Sequence, residues 1–344
     1  MTERDVMEYD VLIVGGGPAG LAAAIRLKQL DPNKNVCLVE KASTVGAHSL
    51  AGAVIEPQPL DDLLGKEWRN NPPEFCTAVT GDELFYLTAK GKIKAPMAPP
   101  QMNNHGNYIV SLGSLCAWLA PKAEELGVEI YPGFAARDAL IEDGKVVGVR
   151  LQDMGIAKDG SHKHSFAPGM DLRAPITIFA EGARGSITKQ LVKRFGLDTQ
   201  SDPQTYGIGI KELWQLPDDG RVKPGLVQHS IGWPVDAKLY GGGFIYHMPG
   251  NKVSIGFVVG LDYDDPNLVP YEVFQQYKHH PAIKPLLEGG TIISAGARAI
   301  AKGGYQSLPT MDMPGAMVIG CGAGTLNMPK IKGTHTAIRG GMLA

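Results

Sequence analysis

Apolar and polar positions along this chain change period several times, and each change marks an element. Val11 to Val14 is a short continuous apolar run that meets a glycine turn. A helical stretch from Pro18 to Leu30 follows, then an Asp31-Pro32-Asn33 break and a second apolar run, Val36 to Val39. This pattern predicts strand, crossover helix and parallel strand. Leu115, Trp118, Leu119, Ala123 and Leu126 recur at helical spacing, with Pro121 among them expected to kink that helix or move its start. Val128 to Tyr131 reads as the next strand. Ala139 to Ile141 and Val146 to Leu151 flank Asp143-Gly144, a hairpin signal. Met154 to Met170 reads as an exposed excursion, Ile176 to Phe179 as a buried parallel strand, Ala316 to Ile319 as another, and Thr334 to Leu343 as a closing helix.

Between Tyr206 and Leu261 the pattern differs. Gly207 to Leu213, Gly225 to Ser230, Gly243 to His247 and Val253 to Val259 are short runs parted by Gly, Pro and Asp, which predicts an antiparallel sheet in a second domain. Glu56 to Pro100 is broken by prolines and polar turns into loops, short helices and a hairpin.

Composition narrows the function. The 344 residues suit two domains with a cleft between them. Lys plus Arg, 33, against Asp plus Glu, 35, leaves a net charge of −2, so no basic field draws in nucleic acid. Cys37, Cys76, Cys116 and Cys321 match neither a C-x-x-C signature nor a short disulfide framework. The pairs His162/His164 and His279/His280 lack a third ligand nearby and read as solvated loop residues. No secretory or transit pattern is visible in Met1 to Asp10, and no apolar run reaches the length of a spanning helix.

The chemistry lies in the glycines. Gly15-Gly16-Gly17-Pro18-Ala19-Gly20 satisfies G-x-G-x-x-G directly after a strand, and Glu40 stands twenty residues past the last glycine at the end of the next strand. Gly15 makes the tight turn, Gly17 lets the backbone approach a pyrophosphate, Gly20 lets helix and strand pack closely, and Glu40 accepts from a ribose 2′-hydroxyl. The fingerprint alone leaves NAD and FAD open. Phe179-Ala180-Glu181-Gly182-Ala183-Arg184-Gly185-Ser186 resembles the flavin-contacting segment of flavoprotein hydroxylases and reductases, which points to FAD; Ser186 is also placed to cap a helix. Gly320-Cys321-Gly322-Ala323-Gly324 leads to a helix start at Thr334 whose free N–H groups suit a flavin pyrimidine.

Longer strings are more specific. Glu40-Lys41 with Val45-Gly46-Ala47-His48, Met102 to Gly113, Pro203 to Trp214, Gly256 to Tyr263 and Pro329 to His335 make the chain resemble the electron-transfer flavoprotein:ubiquinone oxidoreductases over nearly its whole length. The resemblance implies an α/β fold with α+β insertions: a Rossmann-type FAD-binding domain of the glutathione-reductase-like class, over residues 1–50, 76–203 and 305–344. An inserted antiparallel, membrane-facing quinone domain takes 51–75 and 204–304. It implies FAD held by Gly15, Gly17, Gly20, Glu40, Lys41, Gly46, His48, Ala135, Glu181, Gly182, Gly320, Gly322, Gly333 and Thr334, and a quinone head group at Gly241 and Gly242, where a plain β-bulge is the alternative. His48 and His105 either contact flavin or shape its loop.

The implied partners are electron-transfer flavoprotein, ubiquinone and a peripheral membrane surface, with no nucleic acid; the expected location is the cytoplasmic face of a bacterial inner membrane. Ser49 to Asn70 corresponds to a membrane-embedded surface, yet Leu60, Leu63, Leu64 and Trp68 on one helical face equally fit core packing. The family carries a [4Fe-4S] cluster on C-terminal cysteines, whereas none of the four cysteines here has cluster spacing. The expected activity is quinone reduction by FAD. The rivals are a flavin-dependent isoprenoid reductase and a non-catalytic flavin-binding module.

Overall fold

A computed structural model describes residues 4–236 and 238–344; residues 1–3 of the acidic N-terminal stretch lie outside it. The predicted crossover forms as expected. Val11–Val14 and Val36–Glu40 pair in parallel, and Pro18–Leu30 is the helix between them. Val128–Pro132 adds beyond Val36–Glu40, while Ile176–Phe179 and Ala316–Val318 add on the other side, all parallel, with Asp312–Met313 antiparallel at the edge. All four residues of Val11–Val14 are buried, because both faces of the sheet are covered.

On one face lies Pro18–Leu30, packed between Thr334–Leu343 and the helix Leu112–Glu125. That last helix starts three residues before the apolar spacing suggests. Ser111 caps it by accepting the Ser114 N–H at 3.4 Å, and Pro121 lies inside it on the exposed side. An interior proline costs about 3 kcal/mol. Burial of Leu115, Cys116, Leu119, Ala120 and Ala123 on the opposite side offsets that cost. The other face carries a second sheet of Val6–Glu8, Asp171–Arg173, Lys145–Leu151 and Ala136–Glu142. Its hairpin turns at Asp143 and Gly144, whose φ values of +48° and +76° suit an Asp-Gly turn.

The antiparallel sheet has seven strands, in the order Thr291–Ala301, Tyr206–Gln215, Lys252–Gly260, Gly241–Met248, Leu226–Gly232, Gly81–Leu87 and Lys92–Lys94. The last two differ from the expected boundaries. Gly81–Leu87, expected from the sequence in the nucleotide domain, pairs in parallel with Leu226–Gly232. One face of this sheet packs on the helix Pro270–His279 through Phe257, Phe274 and Tyr277. The other packs Val227, Tyr246 and Met248 on Val54 and Ile109, which belong to a small three-stranded sheet of Ala51–Ile55, Tyr108–Ser111 and Cys76–Ala78.

The stretch expected to face a membrane is largely interior. Leu60 and Leu63 of the helix Gln58–Leu64 are fully buried in the core around Pro18–Leu30, with Leu64 and Trp68 packed against it. Asp61 is tied down by Arg69 and by Trp68, whose indole N–H donates at 3.0 Å. The two histidine pairs also part company. His162 and His164 are exposed, but His280 is buried, with Nε2 2.8 Å from the Thr88 carbonyl and Nδ1 accepting the Ala282 N–H. Position between a helix end and a turn makes it a structural joint.

Leu60→Ala should therefore destabilise the fold by about 2–5 kcal/mol in urea unfolding, the ordinary cost of a core cavity, and leave vesicle binding unchanged.

Candidate functional site

The carboxyl ends of the parallel strands open on a cavity of about 720 Å³. Its floor is the fingerprint turn. Gly15 has φ +111°, and a Cβ there would lie 2.5 Å from the Ala180 carbonyl oxygen. At Gly20 a Cβ would come within 2.1 Å of the Gly15 oxygen, so the helix seats on the strand only with glycine at this position. Gly17 differs: nothing lies within 4 Å of where its Cβ would be, so the space over the start of Pro18–Leu30 is open. No side chain caps that helix, and its first N–H groups remain available.

Glu40 frames the next side. Its Oε2 accepts the Gly16 N–H at 2.8 Å and its Oε1 accepts the Ala42 N–H at 2.8 Å, which fixes the carboxylate while each oxygen keeps a further lone pair. Lys41, Gly46, His48 and Ala135 continue the wall; Glu181, Gly182 and Gly320 complete it from the Ile176–Phe179 and Ala316–Val318 strands.

The structure separates residues that sequence reasoning had grouped. Gly20 acts from behind the wall, and Gly322, Gly333 and Thr334 do not line the cavity, although Ala337 of the same helix does. His105 is exposed in the turn Asn104–Asn107, away from it. Glu181, expected to close over a cofactor, turns its carboxylate to the helix Ser186–Phe195. It accepts the Thr188 N–H and hydroxyl, each at 2.7 Å, and thus caps the helix in place of Ser186. Arg298, Ala299, Phe134 and Ser49 line the cavity and were not anticipated. Arg298 and Ala299 come from the antiparallel sheet, so no local motif announces them.

Gly241 and Gly242 sit away from this cavity in regular antiparallel register with Val259 and Val258, which excludes a bulge. Alternation sends them to opposite faces. A Cβ on Gly241 would meet Val235 and Phe257 in the core, whereas on Gly242 the nearest side-chain atom is Ile231 Cγ2 at 3.8 Å. On the Gly242 face, the register aligns Arg298, Gly209, Val258 and Gly242 in one row. Past Ile231 the row continues through Tyr86 and Ile93. It runs from a residue lining the cavity to an exposed apolar edge. The adjacent row holds Lys211, Gly256, Phe244 and His229.

His229 is buried, with Nε2 3.1 Å from the Tyr246 hydroxyl; burial, aided by the Lys332 charge, pushes it down to about 3. Burial also pushes Cys37, Cys76 and Cys116 up to about 12. Among the described residues no group of three or more His, Cys, Asp or Glu could hold a metal ion, so these cysteines do not fit a cluster.

This combination of a parallel sheet with an antiparallel sheet that contributes to its cavity recurs in other proteins. Two solved structures show it. A geranylgeranyl bacteriochlorophyll reductase-like protein from Thermoplasma acidophilum matches 98% of the chain and 77% of its own length, with a TM-score of 0.75 at 19% identity. A flavin-dependent brominase matches 98% of the chain and 77% of its own, with a TM-score of 0.65 at 17% identity. At such identities only the fold is shared.

Residues 13–59 match an NAD(P)-binding Rossmann-like domain, and residues 206–300 match the family described as ETF-QO, ubiquinone-binding. The electron transfer flavoprotein-ubiquinone oxidoreductase of Pseudomonas aeruginosa is 52% identical over 99% of the chain, and the human mitochondrial protein of that name 51% identical over 99%. Over nearly all its length the chain is homologous to the electron transfer flavoprotein-ubiquinone oxidoreductase family. It spans 63% of the bacterial relative and 56% of the human one.

The depressed His229 carries a pH signature. The unfolded chain takes up this proton near pH 6.5 and the folded one only near 3, so the stability from neutral His229 is complete above about pH 6.5 and is lost as pH falls toward 3. His229→Gln should flatten the fall in urea-unfolding free energy across that window.

Proposed function

We propose that this chain binds FAD in the cavity and passes electrons, received from reduced electron-transfer flavoprotein, to ubiquinone at a membrane surface. The residues fit the cofactor. The open space over Gly17 at an uncapped helix start suits a pyrophosphate, the fixed Glu40 carboxylate suits ribose hydroxyls, and the volume lies in the range of cofactor sites. Gly182, with φ +83° and nothing within 4 Å of a Cβ position, leaves further room for the cofactor. When bound, FAD supplies the exchange between one-electron donors and a two-electron acceptor. The protein positions that chemistry and controls what reaches it.

The observation that carries the quinone assignment is the row from Arg298 through Gly209, Val258 and Gly242 to Ile231, Tyr86 and Ile93. Two glycines in that row lower the sheet surface, so a flat head group lies against backbone and meets its polar groups. Gly242 borders this trough, and Gly241 supports it from the core side. The trough ends where Tyr86, Ile93, Met97 and Ile231 are each half or more exposed, a ready exit for an isoprenoid tail.

That edge is also the surface we assign to a peripheral membrane contact, in place of Ser49 to Asn70. Its apolar side chains stand beside Lys90 and Lys92, which suit anionic headgroups of the cytoplasmic leaflet of a bacterial inner membrane. Among the described residues no helix is long and apolar enough to cross a bilayer. The nucleotide role belongs with the parallel sheet, and the quinone role with the antiparallel sheet together with Gly81–Leu87 and Lys92–Lys94.

The test uses the FAD-loaded chain, reduced chemically without oxygen and mixed with a short-tailed ubiquinone. Reoxidation of the bound FAD is expected. Ile231→Glu should slow it by about tenfold or more, since quinone seated over that edge would have to desolvate the carboxylate, while FAD content stays unchanged. FAD that stays reduced in the presence of quinone overturns the assignment. Gly17→Val adds bulk only to open space, so the fold should hold while FAD affinity drops by about tenfold or more in a fluorescence titration.

A further inference from the structure

Where the antiparallel sheet meets the cavity wall, two cations converge on one short segment. Arg298 donates through Nε to the His48 carbonyl at 3.1 Å and also through Nη2, and the same side chain borders the cavity. Lys211 donates from Nζ to the Gly52 carbonyl at 3.1 Å and the Leu50 carbonyl at 3.5 Å. His48 and Ser49 are themselves cavity residues, so Lys211 stands directly behind the wall.

Among the described residues the side-chain hydrogen bonds of Lys211 go to carbonyl oxygens, and the charge that acts on it is another cation. Burial and Arg298 together push it down to about 8. Neither Lys211 nor Arg298 forms an ion pair with a carboxylate among the described residues. A lysine on the helix packed against this sheet is balanced. That residue, Lys278, donates to both oxygens of Glu212 at 2.9 Å. Neutral residues would satisfy the 48–52 carbonyls without the cost of burying the Lys211 amine beside a second cation, so the uncompensated positive charge calls for a balancing negative charge in the cavity.

From this arrangement we infer that Lys211, with Arg298, forms a fixed positive wall that selectively stabilises the reduced cofactor. The inference rests on FAD as the occupant. Its isoalloxazine ring gains negative charge on reduction, since at neutral pH it takes up fewer protons than electrons. Lys211 is a positioning residue that acts through space and through the segment it holds. Raising the affinity for reduced over oxidised FAD by a given factor raises the midpoint potential correspondingly, because the two are linked in one thermodynamic cycle.

The experiment compares dissociation constants of oxidised FAD and of FAD reduced under anaerobic conditions, in the full chain, with the midpoint potential measured in parallel. Lys211→Met should weaken the reduced form by about tenfold more than the oxidised form and lower the potential, and Lys211→Arg should restore both. Equal weakening of the two forms would show that Lys211 only braces residues 48–52, and no change in either dissociation constant would show that its charge is not felt; either result overturns the inference. If Lys211→Met does not fold, Arg298→Gln is measured by the same ratio, and the same two results overturn the inference. A wild-type chain that binds neither form refutes the FAD reading itself. Binding of both forms with no selective change in the variants refutes the positive wall alone.

Discussion

The close seat of the helix Pro18–Leu30 on the strand Val11–Val14 is the contact on which the site depends. Gly20 rests so near the Gly15 carbonyl that any side chain would lift the helix off the sheet. With the helix down, its N-terminus faces the carboxyl ends of the parallel strands, and Glu40 reaches back to the Gly16 N–H. The cavity exists because these strands end together while the chain returns each time on the sheet faces.

The antiparallel sheet uses a different physical device. Its two faces are unlike: one buries aromatic side chains under a helix, and the other carries rows in which glycine alternates with larger residues. Pairing register, fixed along nine positions between Tyr206–Gln215 and Lys252–Gly260, places Arg298 at the cavity end and Ile231 and Tyr86 at the exposed end of one line. A slip of a single residue would send Gly242 and Lys211 to the wrong face. The register is thus as important to the proposed transfer path as any single side chain.

Burial sets the electrostatics. His229 is kept neutral by its surroundings, Lys278 is balanced by Glu212, and Arg298 on the cavity wall and Lys211 behind it have no carboxylate partner among the described residues. Around the buried Lys211 amine such an imbalance has a larger effect than on the surface. That contrast separates a charge suited to acting on a ligand from one that serves the fold.

Local sequence determined the crossover, the fingerprint turn, Glu40, the Asp143-Gly144 hairpin and the closing helix, because each depends on short-range sterics and on periodicity within a few residues. The resemblance of longer strings extended this to the family. Tertiary structure decided the rest. Leu60 and Leu63 had the pattern of an amphipathic face, and only the packing of the neighbouring helices shows that they fill the core rather than face a membrane. Glu181 had the right neighbours for a cofactor contact, but the unfilled N–H groups of the next helix claimed its carboxylate. Arg298 lies in none of the matching strings, and Lys211, though inside one, has nothing local to mark its place: strand pairing with residues far away in sequence brings them to and behind the cavity wall, and burial and register arise only when the chain has closed on itself.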